Sequence, residues 1–233
     1  MRGQVGFLGL LFLCSLLFFS GCKSAAEVRR PKPSSDIAEV SSEQKKAELL
    51  KRLERRFEDP DAQFQLGQLY HADGLWSQAQ WRYNQALSFE PAHRDSQAAL
   101  VKLHLDSGDA AKSKLSADIY MNQVCGSAKE SLRLGLAFQK QELDDYALAC
   151  YRQALNLAPN SAKVHRQIGY YYLSKNDKER AKDYLTRSFQ LNPNQPEVAG
   201  ELGRLGIAVR IPRKQQLENS KKLDRIVEQS EKK

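Results

Sequence analysis

Three stretches of this chain superimpose without a gap, and their spacing constrains the fold more than any other feature. The first carries Leu66-Gly67, Tyr70, Ala79, Tyr83, Ala86 and Pro91. The second carries Leu134-Gly135, Phe138, Ala147, Tyr151, Ala154 and Pro159. The third carries Ile168-Gly169, Tyr172, Ala181, Leu185, Ser188 and Pro193. Pro91 and Pro159 are 68 residues apart and Pro159 and Pro193 are 34 apart, so one whole unit fits between the first two stretches. Units of this length stack, because none of them hides its apolar face alone.

The residues inside a unit say how it is built. Leu66 and Tyr70 stand four apart, as do Leu134 and Phe138, and Ile168 and Tyr172, so each pair shares one helical face. Gly67, Gly135 and Gly169 remove a side chain where two helices must come close, and Ala79, Ala147 and Ala181 do so on a second helix. Tyr83, Tyr151 and Leu185 fill the space four residues later. Asp73-Gly74, Ser107-Gly108-Asp109 and Asn176-Asp177 are turn formers between the helices, and Pro91, Pro159 and Pro193 stop the second ones. The expected fold is all-α, with antiparallel helix pairs at 60–93, 94–127, 128–161 and 162–195. The second unit is degenerate. It has Val101 in place of Gly, Ala117 where a large residue is usual and Tyr120 where a small one is usual. A swap of bulk between 117 and 120 and a local shift of register both account for this.

This pattern resembles the tetratricopeptide repeat, in its period, its Leu-Gly pair, the aromatic three residues after the Gly and the closing Pro. The resemblance implies an α-solenoid that binds a peptide or helix on its concave side, along the first helix of each unit. Carried onto this chain, it implies a groove at Phe64, Gln68, Lys102, Lys129, Leu132, Leu136, Lys163, Arg166 and Tyr170. Phe64, Leu132, Leu136 and Tyr170 would give it apolar ground, and Lys102, Lys129, Lys163 and Arg166 a basic C-terminal half. The implied partner is a protein or peptide segment with apolar anchors and acidic flanks. The family's carboxylate clamp is not reproduced, since no Asn stands at the ninth positions of the units.

The start of the chain reads as an address. Residues 1–21 combine Arg2, an apolar run from Phe7 to Phe19, and Ser20-Gly21 ahead of Cys22. The run is 13 residues long, short of the roughly 20 a spanning helix needs. It is similar to a bacterial lipoprotein signal, which implies lipid attachment at Cys22, and Lys23 in place of Asp implies the outer membrane, facing the periplasm. Residues 22–42 hold Pro31 and Pro33 and lack Leu and aromatics, so a flexible linker is expected. A capping helix is expected over 43–59, with Leu49, Leu53 and Phe57 on one face and Ser41 with Gln44 as its capping box. A closing half-unit is expected at 196–212, where Ile207 to Ile211 alternate, and a charged tail at 213–233.

No chemistry-bearing constellation emerges. His71, His93, His104 and His165 lack metal-ligand spacing, Cys125 and Cys150 fall too far apart along the expected helices for a disulfide, and no phosphate loop or nucleophile elbow is present. No catalytic residue, metal or cofactor is expected. The net charge of +8 favours an acidic partner, and with no basic stripe interleaved with aromatics, no nucleic acid is expected as a partner. The expected function is a membrane-anchored protein-interaction scaffold that assists assembly of an envelope complex such as a pilus or secretion machine, similar in architecture to pilotin-type lipoproteins. A client-binding component of outer-membrane protein assembly and a regulatory subunit of a cell-wall enzyme are the alternatives.

Overall fold

The computed structural model describes residues 35–210, with side chains from 41 to 210. The signal segment 1–21, Cys22, the first part of the linker, Ile211 and the tail 213–233 lie outside the described residues. Contacts divide the chain into Met1–Glu39 and Val40–Lys233. Among the described residues the secondary structure is entirely α-helical. The helices are α1 (Ser35–Arg55), α2 (Pro60–Ala72), α3 (Trp76–Phe89), α4 (Arg94–Asp106), α5 (Ala110–Gln123), α6 (Ala128–Lys140), α7 (Asp144–Leu157), α8 (Ala162–Ser174), α9 (Lys178–Leu191) and α10 (Pro196–Arg204). None of them is long and apolar enough to cross a membrane.

Equivalent helices recur in step. Helices α2, α4, α6 and α8 start at Pro60, Arg94, Ala128 and Ala162, and α3, α5, α7 and α9 at Trp76, Ala110, Asp144 and Lys178. The degenerate second unit therefore keeps the register of the others. Each first helix is capped from the residue before it. Asp59, His93, Ser127 and Ser161 accept from the backbone N–H three residues on, which satisfies a donor the helix itself leaves open. The hairpin turns put Gly74, Gly108, Glu142 and Asn176 at φ of 73°, 88°, 59° and 58°. The third residue of a hairpin that reverses this tightly must adopt the left-handed region, and glycine does so without steric cost.

The core forms where first and second helices meet. A Cβ on Gly67 would stand 2.6 Å from the ring of Tyr83, one on Gly135 2.6 Å from Tyr151, and one on Gly169 2.6 Å from Leu185. Those three partners are almost wholly buried, and each contributes about 1.5–3 kcal/mol of apolar transfer. In the second unit Val101 and Ala117, both fully buried, occupy these two positions. Bulk has therefore moved across the α4–α5 interface, from the second helix to the first. Tyr120, half-buried, packs against the clusters on both sides.

A second row recurs with the same period and is polar. Gln63, Gln97, Ser131 and His165 are buried one turn into the first helices. Each bonds a carbonyl of the loop before it. Gln63 Nε2 donates to Phe57 O at 3.0 Å, Gln97 Nε2 to Pro91 O at 2.8 Å, Ser131 Oγ to Val124 O at 3.0 Å, and His165 Nε2 to Pro159 O at 2.8 Å. These bonds satisfy loop carbonyls that would otherwise be buried without a partner.

Both ends are covered. Leu53 of α1 is buried and Leu49 half-buried against Ala62 and Leu66. Helix α1 reaches back to Ser35, into the stretch read as linker, so Ser41 and Gln44 lie inside the helix and cap nothing. The reason lies in the sequence: no Pro or Gly interrupts the chain between Pro33 and Arg55. At the far end α10 adds Val198, Ala199 and Leu202 to Leu185 and Phe189, and Ile207 and Val209 pack alongside.

Candidate partner-binding face

The first helices α2 and α4, and α4 and α6, adjoin one another directly, and α6 and α8 share the walls of a cavity. Polar contacts cross the unit boundaries. His93 Nε2 lies 3.1 Å from Asp61 Oδ1 and His71 Nε2 3.1 Å from Asp106 Oδ2. Lys140 Nζ stands 2.9 Å from Asp95 Oδ1, and Lys175 Nζ 2.7 Å from Asp144 Oδ2.

The nine residues expected to form the groove do not act as one set. Lys129, Leu132, Leu136 and Lys163 come together between α6 and α8, around a cavity of about 260 Å³ that Ala128, Arg133, Ser161 and Val164 complete. Leu132 is its buried floor, and Leu136 is half-buried. Arg133 is engaged by Glu130 Oε1 at 3.0 Å. Among the described residues, no carboxylate lies within 4.0 Å of Lys129, Lys163 or Arg166. Arg166 and Tyr170 share the next part of α8, toward α10. Burial pushes the Tyr170 phenol up, and the nearby Arg166 opposes that shift.

The other three lie elsewhere. Phe64 is half-buried, its ring centroid 6.0 Å from Tyr83 and 5.4 Å from His93. Gln68 lines a separate cleft of about 430 Å³ between α1 and α2, with Leu49 and Leu69 on its floor and Lys45 and Arg52 at its rim. Lys102 is held by Asp106 Oδ1 at 2.9 Å, one turn on in the same helix. Its charge is thereby compensated, and the middle of the face is a closed ion-pair zone rather than basic ground. The second cleft was invisible in the repeat pattern, because α1 belongs to no unit.

One arrangement resembles a catalytic line. His93 Nδ1 lies 2.7 Å from Ser96 Oγ, and its Nε2 lies 3.1 Å from Asp61 Oδ1. Ser96 is wholly buried and His93 Nδ1 also accepts the Ser96 N–H, so the hydroxyl faces no solvent and the group serves as the α4 cap. Among the described residues, no three His, Cys, Asp or Glu side chains converge as metal ligands would. Cys125 and Cys150 are both free, and burial pushes the Cys150 thiol up to about 12.

The tetratricopeptide repeat matches residues 162–195. The human protein O-mannosyl-transferase TMTC1 is 26% identical over 145 residues, covering 59% of this chain and 16% of TMTC1. The type IV pilus assembly protein PilF of Pseudomonas aeruginosa is 29% identical over 155 residues, covering 64% of this chain and 60% of PilF. The chain thus spans less than two thirds of either relative. The solved structure of Pseudomonas aeruginosa PilF aligns over 63% of this chain and 67% of that one, at 26% identity and a TM-score of 0.36.

Proposed function

We infer that this chain, which is a tetratricopeptide-repeat protein similar to PilF, is a lipid-anchored scaffold of the bacterial envelope that holds a protein partner while a pilus or secretion complex assembles. A repeat protein of this kind serves protein interaction, and stacked first helices offer a segment of another chain an extended surface. The observation that carries the reading is the cavity between α6 and α8. It joins an apolar floor, Leu132 and Leu136, to the cations of Lys129 and Lys163, which no carboxylate engages among the described residues. Such a site suits an apolar anchor flanked by Asp or Glu. The similarity to a type IV pilus assembly protein supports the process, and Ser20-Gly21-Cys22 supports the anchor. The partner is bound, not transformed.

Cross-linking in intact cells from a photoreactive residue at Leu136 should capture one stoichiometric partner. Lys129→Glu with Arg166→Glu should weaken its binding by about 1–3 kcal/mol. Unchanged affinity would reject this face as the site. Detergent partitioning of the parent against Cys22→Ser tests the anchor separately.

A further inference from the structure

The outward surface of the array changes character along its length. Helix α9 presents Lys178, Glu179, Arg180, Asp183 and Arg187 at exposed positions. Helix α3, its counterpart in the first unit, has a single charged residue, Arg82, and no carboxylate. Its exposed positions hold Trp76, Trp81 and Phe89 among the neutral Ser77, Gln78, Asn84 and Ser88. Phe57, at the end of α1, joins them: its ring centroid lies 5.8 Å from Phe89, edge-on, and 6.4 Å from Trp81. Phe57 and Trp81 are 47% and 46% exposed, far beyond what large aromatics show when they serve only a core.

We propose that this aromatic cluster is a membrane-contact face that rests on anionic lipid headgroups and lays the first unit against the bilayer. The cations around it match such a surface. Arg55 and Arg56, both exposed, immediately precede Phe57, while the half-buried Arg82 guanidinium donates to Gln63 Oε1 at 3.0 Å and lies 4.5 Å from the Trp81 ring centroid, holding that indole in place. Among the described residues, none of the three has a carboxylate within 4.0 Å, while Glu58 and Glu90 stand beside the cluster in sequence. Indole rings with an apolar body and one N–H donor favour the water–lipid boundary, and a cation close to an anionic leaflet adds about a fivefold preference.

The proposal rests on the lipid-anchored reading above, and chain length allows both at once. Twelve residues lie between Cys22 and Ser35, and the thirteen steps from one to the other can span at most about 45 Å. Helix α1, 21 residues long, measures about 30 Å. The reach exceeds the length of α1, so chain length alone does not forbid an anchored Cys22 and a docked cluster together. Because α3 is a second helix, the face formed by α2, α4, α6 and α8 stays open to a partner.

Of the two tryptophans of the chain, Trp76 packs on His71 and Trp81 lies in the cluster, so the face carries its own probe. The full chain is reconstituted in vesicles of phosphatidylglycerol and phosphatidylethanolamine, with and without acyl-chain bromination. Trp76→Phe isolates Trp81. Its emission should shift to the blue on vesicles and be quenched by the brominated lipid, and Arg55→Gln with Arg56→Gln should lower the docked fraction by roughly fivefold per charge removed. Protein that floats with vesicles but shows no quenching overturns the proposal and leaves the anchor standing. Protein that fails to float with Cys22 intact overturns the anchored reading and this face with it. Emission that is already blue-shifted without lipid, and depends on protein concentration, assigns the face to a second copy and overturns the proposal as well.

Discussion

Ser113 Oγ donates a 2.9 Å hydrogen bond to the backbone carbonyl of Val101, across the interface of α4 and α5. In the other units the position of Ser113 is Ala79, Ala147 or Ala181 and that of Val101 is a glycine. Both residues are buried, so the bond forms in a dry contact where the helices cannot approach as closely as elsewhere. Ser113→Ala should cost about 0.5–1.5 kcal/mol in urea unfolding, the net worth of one buried hydrogen bond. A cost near zero would mean the bond adds nothing to the cohesion of this pair.

The glycines divide into two kinds with opposite expected signs. At Gly135 a new Cβ meets the Tyr151 ring at 2.6 Å and Cys150 Cβ at 3.1 Å. Tyr151 is buried and its hydroxyl bonds Gln139 Oε1, so it cannot swing aside, and Gly135→Ala should destabilise by about 1–3 kcal/mol. Around Gly200 in α10 nothing lies within 4 Å of the same atom. Gly200→Ala should stabilise by about 0.5–1 kcal/mol through helix propensity alone. Thermal denaturation of the two variants side by side checks the contrast.

Glu142 has φ 59° at a turn position where two other units use glycine. A left-handed Glu costs about 1–2 kcal/mol against the right-handed region, partly offset by the greater freedom glycine has when unfolded. Glu142→Gly should therefore raise stability by about 0.5–1 kcal/mol. A lower urea midpoint would show that the Glu142 side chain contributes more than its backbone costs.

His104 stands where Tyr70, Phe138 and Tyr172 stand in the other units. Burial, reinforced by Lys112 and opposed by Asp109, holds its imidazole below the ordinary value. The unfolded chain then binds the proton more tightly than the folded one. The contribution of His104 to stability is complete above about pH 6.5, and it is lost as pH falls toward the depressed folded value. His104→Phe should remove that acid sensitivity. An unchanged slope of unfolding midpoint against pH would exclude His104 as its source.

The helix pairs were legible because their signals are local and repeat: Leu-Gly, aromatic, turn and Pro each act within one unit. Val101 and Ala117 read as a degeneracy along one helix, where 117 is set against 120, whereas the compensation runs between helices. The polar row of Gln63, Gln97, Ser131 and His165 was missed because a polar residue early in a helix reads as exposed, and its partner is a backbone atom that leaves no mark in the sequence. Lys102, expected in the basic half of the groove, is compensated by Asp106 one turn away on the same face, at a spacing that sequence alone displays. The cleft beside Gln68 depends on how α1 docks on α2, which no internal period encodes.

The bonds from the polar row to the preceding loops carry an evolutionary consequence. Each links a residue to a carbonyl six or seven positions earlier, wholly within one joint between hairpins. Inserting or deleting a complete hairpin keeps every joint intact, while a change of any other length strands a carbonyl in the interior. A chain bolted together this way lengthens or shortens in whole modules, and the surface it offers a partner comes in matching increments.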